Sequence, residues 1–328
     1  MKPKILFLIS IIIALILSFS IGKLIDQNML QPKIKKNIEK EKTPEPEILK
    51  KKTYTLSKKE EKKTLTYRVI KKEENISKKE PLWKKNAAIF KENRALKYKI
   101  AIVIDDLGLN HSYTKKAIHL PAPINLSFLP YGENLQPLVD LGRRKHHEIM
   151  LHLPMEPTNR GIDPGPNAIR SNMSKGLIHK KLSTNLIQFE GYVGINNHMG
   201  SKATISKRTM QPVLNTLKQN ELIFLDSKTN CDSVCETIAD KLDYPILSRD
   251  VFLDHVAEKK QIEKQLQQLE IIARKNTYAI GIGHPKQITL DVLNKWIPAL
   301  SKKGFELVPI SFIMEKKLEQ IENANHQP

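Results

Sequence analysis

The chain has 328 residues, with 54 Lys and Arg against 35 Asp and Glu for a formal net charge of +19. That charge is concentrated at the front: residues 23–99 hold 24 basic and 11 acidic residues, whereas residues 100–328 hold 28 and 24. Nucleic-acid recognition needs basic residues gathered on a folded domain, so this placement argues against nucleic acid as the partner. The two cysteines, Cys231 and Cys235, make a poor zinc site on their own.

Ile5 to Gly22 is an uncharged run of 18 residues preceded by Lys2 and Lys4, just long enough to cross a bilayer. It is long for a signal-peptide core, and no Ala-x-Ala site follows it. Residues 1–23 are therefore expected to form an uncleaved signal anchor. The expected arrangement is a single pass through the inner membrane, with the C-terminal domain in the periplasm. Residues 24–97 read as a Lys/Glu-rich disordered tether, with prolines at 44, 46 and 81 and too few large apolar residues to offset chain entropy.

From Tyr98 onward, apolar β-rich runs alternate with amphipathic segments. The runs fall at 100–104, 124–129, 149–153, 192–196, 222–225, 246–252, 278–282 and 305–310. Helical patterns lie between them at 134–145, 206–220, 258–275 and 289–303, with Thr289 and Asp291 placed to cap the last. Alternating strands and helices read as α/β with parallel strands. About 220 residues of this pattern fit one (β/α) barrel or a distorted relative, with an open doubly wound sheet as the alternative. No Gly-x-Gly-x-x-Gly follows the first strand, which counts against dinucleotide binding. Residues 317–328 are left as a C-terminal tail.

In such barrels the site lies at the C-terminal ends of the strands, and several strands here end in acids or imidazoles. Asp105-Asp106 ends the first; adjacent side chains alternate in direction, so one can bind a metal while the other serves as base. His152 and Glu156 share a loop stiffened by Pro154 and Pro157, and both are candidate ligands. Asn196-Asn197-His198-Met199-Gly200-Ser201 offers amides to a substrate carbonyl or oxyanion and an imidazole to a metal. Asp226 and the Arg249-Asp250 pair end the next two strands, where an acid can orient a histidine, cap a helix or form an ion pair. His284, held by Pro285, suits a general acid. Tyr131-Gly132 and Arg160 are candidates for shaping the groove.

The order Asp-Asp-x-Gly, His-Leu-Pro-Met-Glu-Pro, Asn-Asn-His-Met-Gly-Ser, Asp-Ser-Lys-Thr, Arg-Asp-Val-Phe-Leu-Asp and Gly-His-Pro resembles the divergent polysaccharide deacetylase family. That family is a distant branch of the carbohydrate esterases with a NodB-type deacetylase domain. The resemblance covers about residues 98–315, within an expected domain of 98–316. It implies a distorted (β/α) barrel that binds a divalent metal, usually zinc, through one Asp and two His. It implies Asp105 as base, Asp106 and His152 as metal ligands, and His284 as acid with Asp226 as its partner. The main branch has a second histidine where this chain has Glu156, so His198 is expected to supply the third ligand, with Glu156 in reserve. Asn197 and Arg249 are expected to face substrate. The function implied is a membrane-anchored, metal-dependent hydrolase removing N- or O-linked acetyl groups from an envelope polysaccharide. The alternative is a deacetylase-like envelope protein that binds or scaffolds without catalysis.

Overall fold

The computed structural model describes residues 80–325. The expected anchor and residues 24–79 of the expected tether lie outside them. Among the described residues no helix is long and apolar enough to cross a membrane.

Among the described residues nine strands, all parallel, form one sheet. They are β1 (Tyr98–Leu107), β2 (Asn125–Phe128), β3 (Glu148–Met155), β4 (Gly194–Met199), β5 (Ile223–Asp226), β6 (Leu247–Ser248), β7 (Val251–Phe252), β8 (Tyr278–Gly283) and β9 (Phe305–Leu307). Their order is β6-β5-β4-β3-β2-β1-β8-β7, and β9 lies beside the first residues of β1. The sequence run 246–252 divides into β6, which pairs with β5, and β7, which pairs with β8. Only Arg249-Asp250 separates them, yet they sit at opposite ends of the strand order. The sheet therefore curls until its two ends meet on one short stretch of chain. The result is a curled parallel α/β half-barrel.

The connecting helices cover the outside: α2 (His111–Ile118), α3 (Leu135–Arg144), α4 (Lys175–Leu186), α5 (Lys207–Gln219), α6 (Cys235–Lys241), α7 (Lys259–Asn276) and α8 (Gln287–Trp296). Local chemistry starts several of them. Asn110 Oδ1 accepts from the Tyr113 N–H at α2, and Ser174 Oγ accepts from the Leu177 N–H at α4, satisfying amides that have no partner inside a helix. The expected cap at Thr289 is not made; α8 starts earlier, after Lys286.

Strand alternation sorts the core into two layers. Ile100, Ile102, Ile104, Ile149, Leu151, Ile195 and Phe224 pack outward against the helices. Ala101, Val103, Met150, Ile223, Leu225, Ile280 and Ile282 fill the inside of the curl. Each Val, Leu, Ile, Met or Phe among them that is withdrawn from water contributes roughly 1.5–3 kcal/mol.

One segment expected to be tether, and one helix that the sequence pattern does not assign, complete the inner layer. In α1 (Leu82–Asn86), Trp83 is 7% exposed and joins the inner cluster. Its N–H donates to Glu221 O at 3.1 Å, and Asn86 Nδ2 donates to Tyr192 O at 2.9 Å. Residues 80–97 are thus part of the folded unit and not tether, because two aromatics, Trp83 and Phe90, pay for ordering them. The run 305–310 holds only the short β9; from Ile310 the chain is helical, and α9 (Ile310–Asn325) extends into the expected tail. Ile310, Phe312 and Ile313 of α9 lie in the same inner cluster as Trp83.

Candidate metal centre and active site

Carried to the strand ends, the alternation decides which side chains face the mouth of the curl. Asp105 continues the inward series Ala101, Val103; His152 follows Met150; His284 follows Ile280 and Ile282. In the β3–β4 register His152 pairs with Asn196 and Pro154 with His198, so Asn196 and His198 fall on the side of His152. Asp106 has the wrong parity and on a regular strand would point outward with Ile104. Its backbone is left-handed there, with φ of 56°. Asp tolerates that conformation better than most residues, and it brings the second carboxylate back into the mouth.

Three donor atoms then meet. Asp106 Oδ1 lies 2.9 Å from His198 Nδ1 and 3.3 Å from His152 Nε2, and the two imidazole nitrogens are 3.3 Å apart. Ligands about 2.1 Å from a tetrahedral ion stand roughly 3.4 Å from one another, so this triangle is near the size a small divalent cation requires. Asp106 Oδ1 is also the one buried side-chain oxygen or nitrogen among the described residues that makes no well-aligned hydrogen bond, its two imidazole neighbours included. An orphaned carboxylate oxygen is costly to bury, and a cation between the three groups would relieve it. The donor set of one carboxylate and two imidazoles fits zinc.

Asp105 and His284 flank the triangle. Asp105 Oδ2 is 3.6 Å from His152 Nε2, and His284 Nε2 is 3.8 Å from Asp106 Oδ2. The other nitrogen of His284, Nδ1, meets Asp254 Oδ1 at 2.9 Å. Asp254 is fully buried, and its Oδ2 accepts from the His284 N–H at 2.9 Å and the Thr289 hydroxyl at 2.8 Å. The cleft above has a volume of about 450 Å³ and is walled further by Ser227, Lys228, Arg249 and Phe252.

Burial and charge pull these groups apart. Burial raises the Asp105 carboxyl above its ordinary value, although His152 and His284 oppose it. Burial also works against charge on Asp106, but His152 and His198 overcome it and hold that carboxyl far below the usual carboxylate range. For His284, burial disfavours the cation, while Asp254 and Asp105 outweigh it and raise the ring above its ordinary value. Neighbouring acids with opposed shifts suit a ligand beside a base.

Of the residues expected from sequence, the structure brings Asp105, Asp106, His152, His198 and His284 together, with Arg249 in the wall. The rest require correction. Asp226 is not the partner of His284: it shares the parity of Phe224, faces away from the mouth, and accepts from Ser233 Oγ at 2.6 Å and the Lys228 N–H at 2.8 Å. Asp254 holds His284 instead. Its signal was present in Val251-Phe252-Leu253-Asp254, an apolar run ending in an acid. Glu156 is no ligand, because its carboxylate is taken by the Ser171 N–H and hydroxyl and by Lys202 Nζ. Asn197 borders the cleft, but its amide is engaged within the protein: Nδ2 donates to Met199 O at 2.8 Å, and Oδ1 accepts from the Ser227 N–H at 2.9 Å. Arg249 donates from Nε to Ser227 O at 2.7 Å and from Nη2 to Lys228 O at 2.9 Å, and its guanidinium lies 5.2 Å from the centre of the Phe252 ring. Tyr131, its phenol pushed up to about 12 by burial and by Asp106, and the exposed Arg160 are not among the side chains lining the cleft. Cys231 and Cys235 are free thiols, the first exposed and the second buried.

Comparison with known proteins gives a consistent picture. The model of the divergent polysaccharide deacetylase family matches residues 102–314. The uncharacterized protein YibQ of Escherichia coli K12 is 32% identical over 200 residues; the match spans 61% of this chain and 62% of that protein. An uncharacterized protein of Haemophilus influenzae is 30% identical over 195 residues, 60% of this chain and 69% of its own. Among solved structures, the uncharacterized protein ATU2773 of Agrobacterium tumefaciens C58 superposes with a TM-score of 0.69 at 28% identity, covering 71% of this chain and 95% of that one.

Proposed function

Because the chain belongs to the divergent polysaccharide deacetylase family, we propose that it is a metal-dependent hydrolase removing N- or O-linked acetyl groups from an envelope polysaccharide. The observation that carries this reading is the triangle of Asp106, His152 and His198 with its orphaned carboxylate oxygen. A divalent ion held by those three residues, zinc by the donor set, would supply Lewis-acid polarisation of the acetyl carbonyl and of the attacking water.

The chain's own groups do the rest. Asp105 takes the proton of the attacking water; its raised affinity for protons brings it nearer the working pH of a general base. His284 presents Nε2 to the cleft, with Nδ1 committed to Asp254, and protonates the departing amine or alcohol. Arg249 and Phe252 hold the sugar against the cleft wall. The uncharged run Ile5–Gly22 anchors the chain in the inner membrane, with residues 24–79 carrying the domain into the periplasm.

The test uses the full-length protein: metal content after purification, then acetate release from cell-wall preparations before and after treatment with a strong chelator. Stoichiometric zinc with chelator-sensitive acetate release is the expected result. Bound zinc without acetate release from any acetylated glycan would replace this reading with that of a binding or scaffolding protein. Activity that survives the chelator would overturn the metal assignment.

A further inference from the structure

Asn196 is wholly buried and uses every hydrogen-bonding position of its amide. Oδ1 accepts from Ser127 Oγ at 2.5 Å and faces His152 Nδ1 at 3.1 Å. Nδ2 donates to Asp105 Oδ1 at 2.8 Å and to Ser227 Oγ at 3.2 Å. Exchanging the two ends of the amide would set its oxygen against the Asp105 carboxylate, so this orientation is the one the surroundings allow.

Two consequences follow from that orientation. With Oδ1 turned toward it, His152 Nδ1 must carry the proton, which leaves Nε2 with a lone pair aimed at Asp106 and His198. With Oδ1 of Asp105 tied to Nδ2, Oδ2 is the atom left on the side of the triangle. We propose that Asn196 is the positioning residue of this site: one amide fixes both the His152 nitrogen that meets the metal and the Asp105 oxygen that meets the water proton. Partners of this kind on a metal-bound imidazole are worth about 10–100-fold in affinity. Ser127 and Ser227 continue the inward parity of β2 and β5 and hold the amide in turn. The kinetic part of this proposal rests on the deacetylase reading; the tautomer and metal-binding parts do not.

The experiment compares the full-length protein with Asn196→Leu, which has the same shape and no polar atoms, and with Asn196→Asp, which restores an acceptor toward His152. Long-range proton–nitrogen correlation on the metal-free protein, in alkaline buffer once the ring has lost its second proton, should place the His152 proton on Nδ1 in wild type. Asn196→Asp should keep it there, and Asn196→Leu should lose it. Competition with a chromophoric chelator should show zinc bound about 10–100-fold more weakly by Asn196→Leu, with Asn196→Asp binding at least as tightly as wild type. At saturating zinc, Asn196→Leu should lower kcat for acetate release about 10–100-fold, with KM within about threefold. A wild-type proton on Nε2 overturns the proposal without any variant having to fold. So does an Asn196→Leu protein with wild-type zinc affinity, or an Asn196→Asp protein as weak as Asn196→Leu. Failure of the wild type to release acetate would remove the deacetylase reading and leave the tautomer and zinc results to decide this one.

Discussion

Asp254 Oδ1 and His284 Nδ1 stand 2.9 Å apart, joining the end of β7 to the end of β8. The same carboxylate takes the backbone N–H of His284, so both the ring and the chain that carries it are fixed by one buried acid.

The pairing sets a pH dependence. Burial opposes the His284 cation, but Asp254 and Asp105 raise the ring above its ordinary 6.5. A general acid is active while protonated, so acetate release should persist above pH 6.5 and fall only as pH passes the raised value. On the other limb, activity should fall on acidification from a point above the ordinary 3.8 of an aspartate, because burial raises Asp105. Replacing Asp254 with Asn should move the alkaline limb downward and cut kcat about 100-fold. The pH profiles of kcat/KM for the two proteins check this.

His198→Ala should abolish stoichiometric zinc binding while the domain stays folded. The ring lies at the rim, and its loss leaves only two ligands, too few for a tight site. Metal analysis beside far-ultraviolet circular dichroism decides it; full zinc content in the variant would refute the ligand assignment.

Glu156→Gln should behave oppositely, keeping zinc and losing stability. Although burial opposes its charge, Lys202 and Ser171 hold the Glu156 carboxyl down to about 2. The folded value lies below the unfolded 4.5, so the stabilisation is complete above pH 4.5 and drains away as pH falls toward 2. Urea titrations near neutrality should show a loss of about 1–2 kcal/mol, and the gap between the two proteins should narrow below pH 4.5.

Trp83→Ala should cost about 3–5 kcal/mol, since the indole is buried in the inner cluster with Ile310 and Ile313. A surface tether would give no change, so the shift in urea midpoint tests directly whether residues 80–97 belong to the domain.

Much of this architecture is legible in sequence because it rests on short-range pattern. All eight expected apolar runs contain strand, and Asp105, His152 and His284 are found by reading the acid or imidazole at or just beyond the end of a run. The errors come from stopping the alternation too soon. Leu225 points inward, so Asp226 must point outward, whereas Phe252 and Asp254 share the inward side. Asp106 breaks the rule in the other direction, through a left-handed residue that no side-chain pattern announces. Asn196 and Asn197 are alike in sequence and distinguished only by register against His152. Trp83 and Phe90 were hidden by averaging, since two aromatics barely alter the composition of a lysine-rich stretch.

The lateral alignment of β3 with β4 sets His198 beside Pro154, two positions beyond the pairing of His152 with Asn196. Adjacent parallel tips thus deliver imidazoles from two separate stretches of chain to one carboxylate, with each strand keeping its own course.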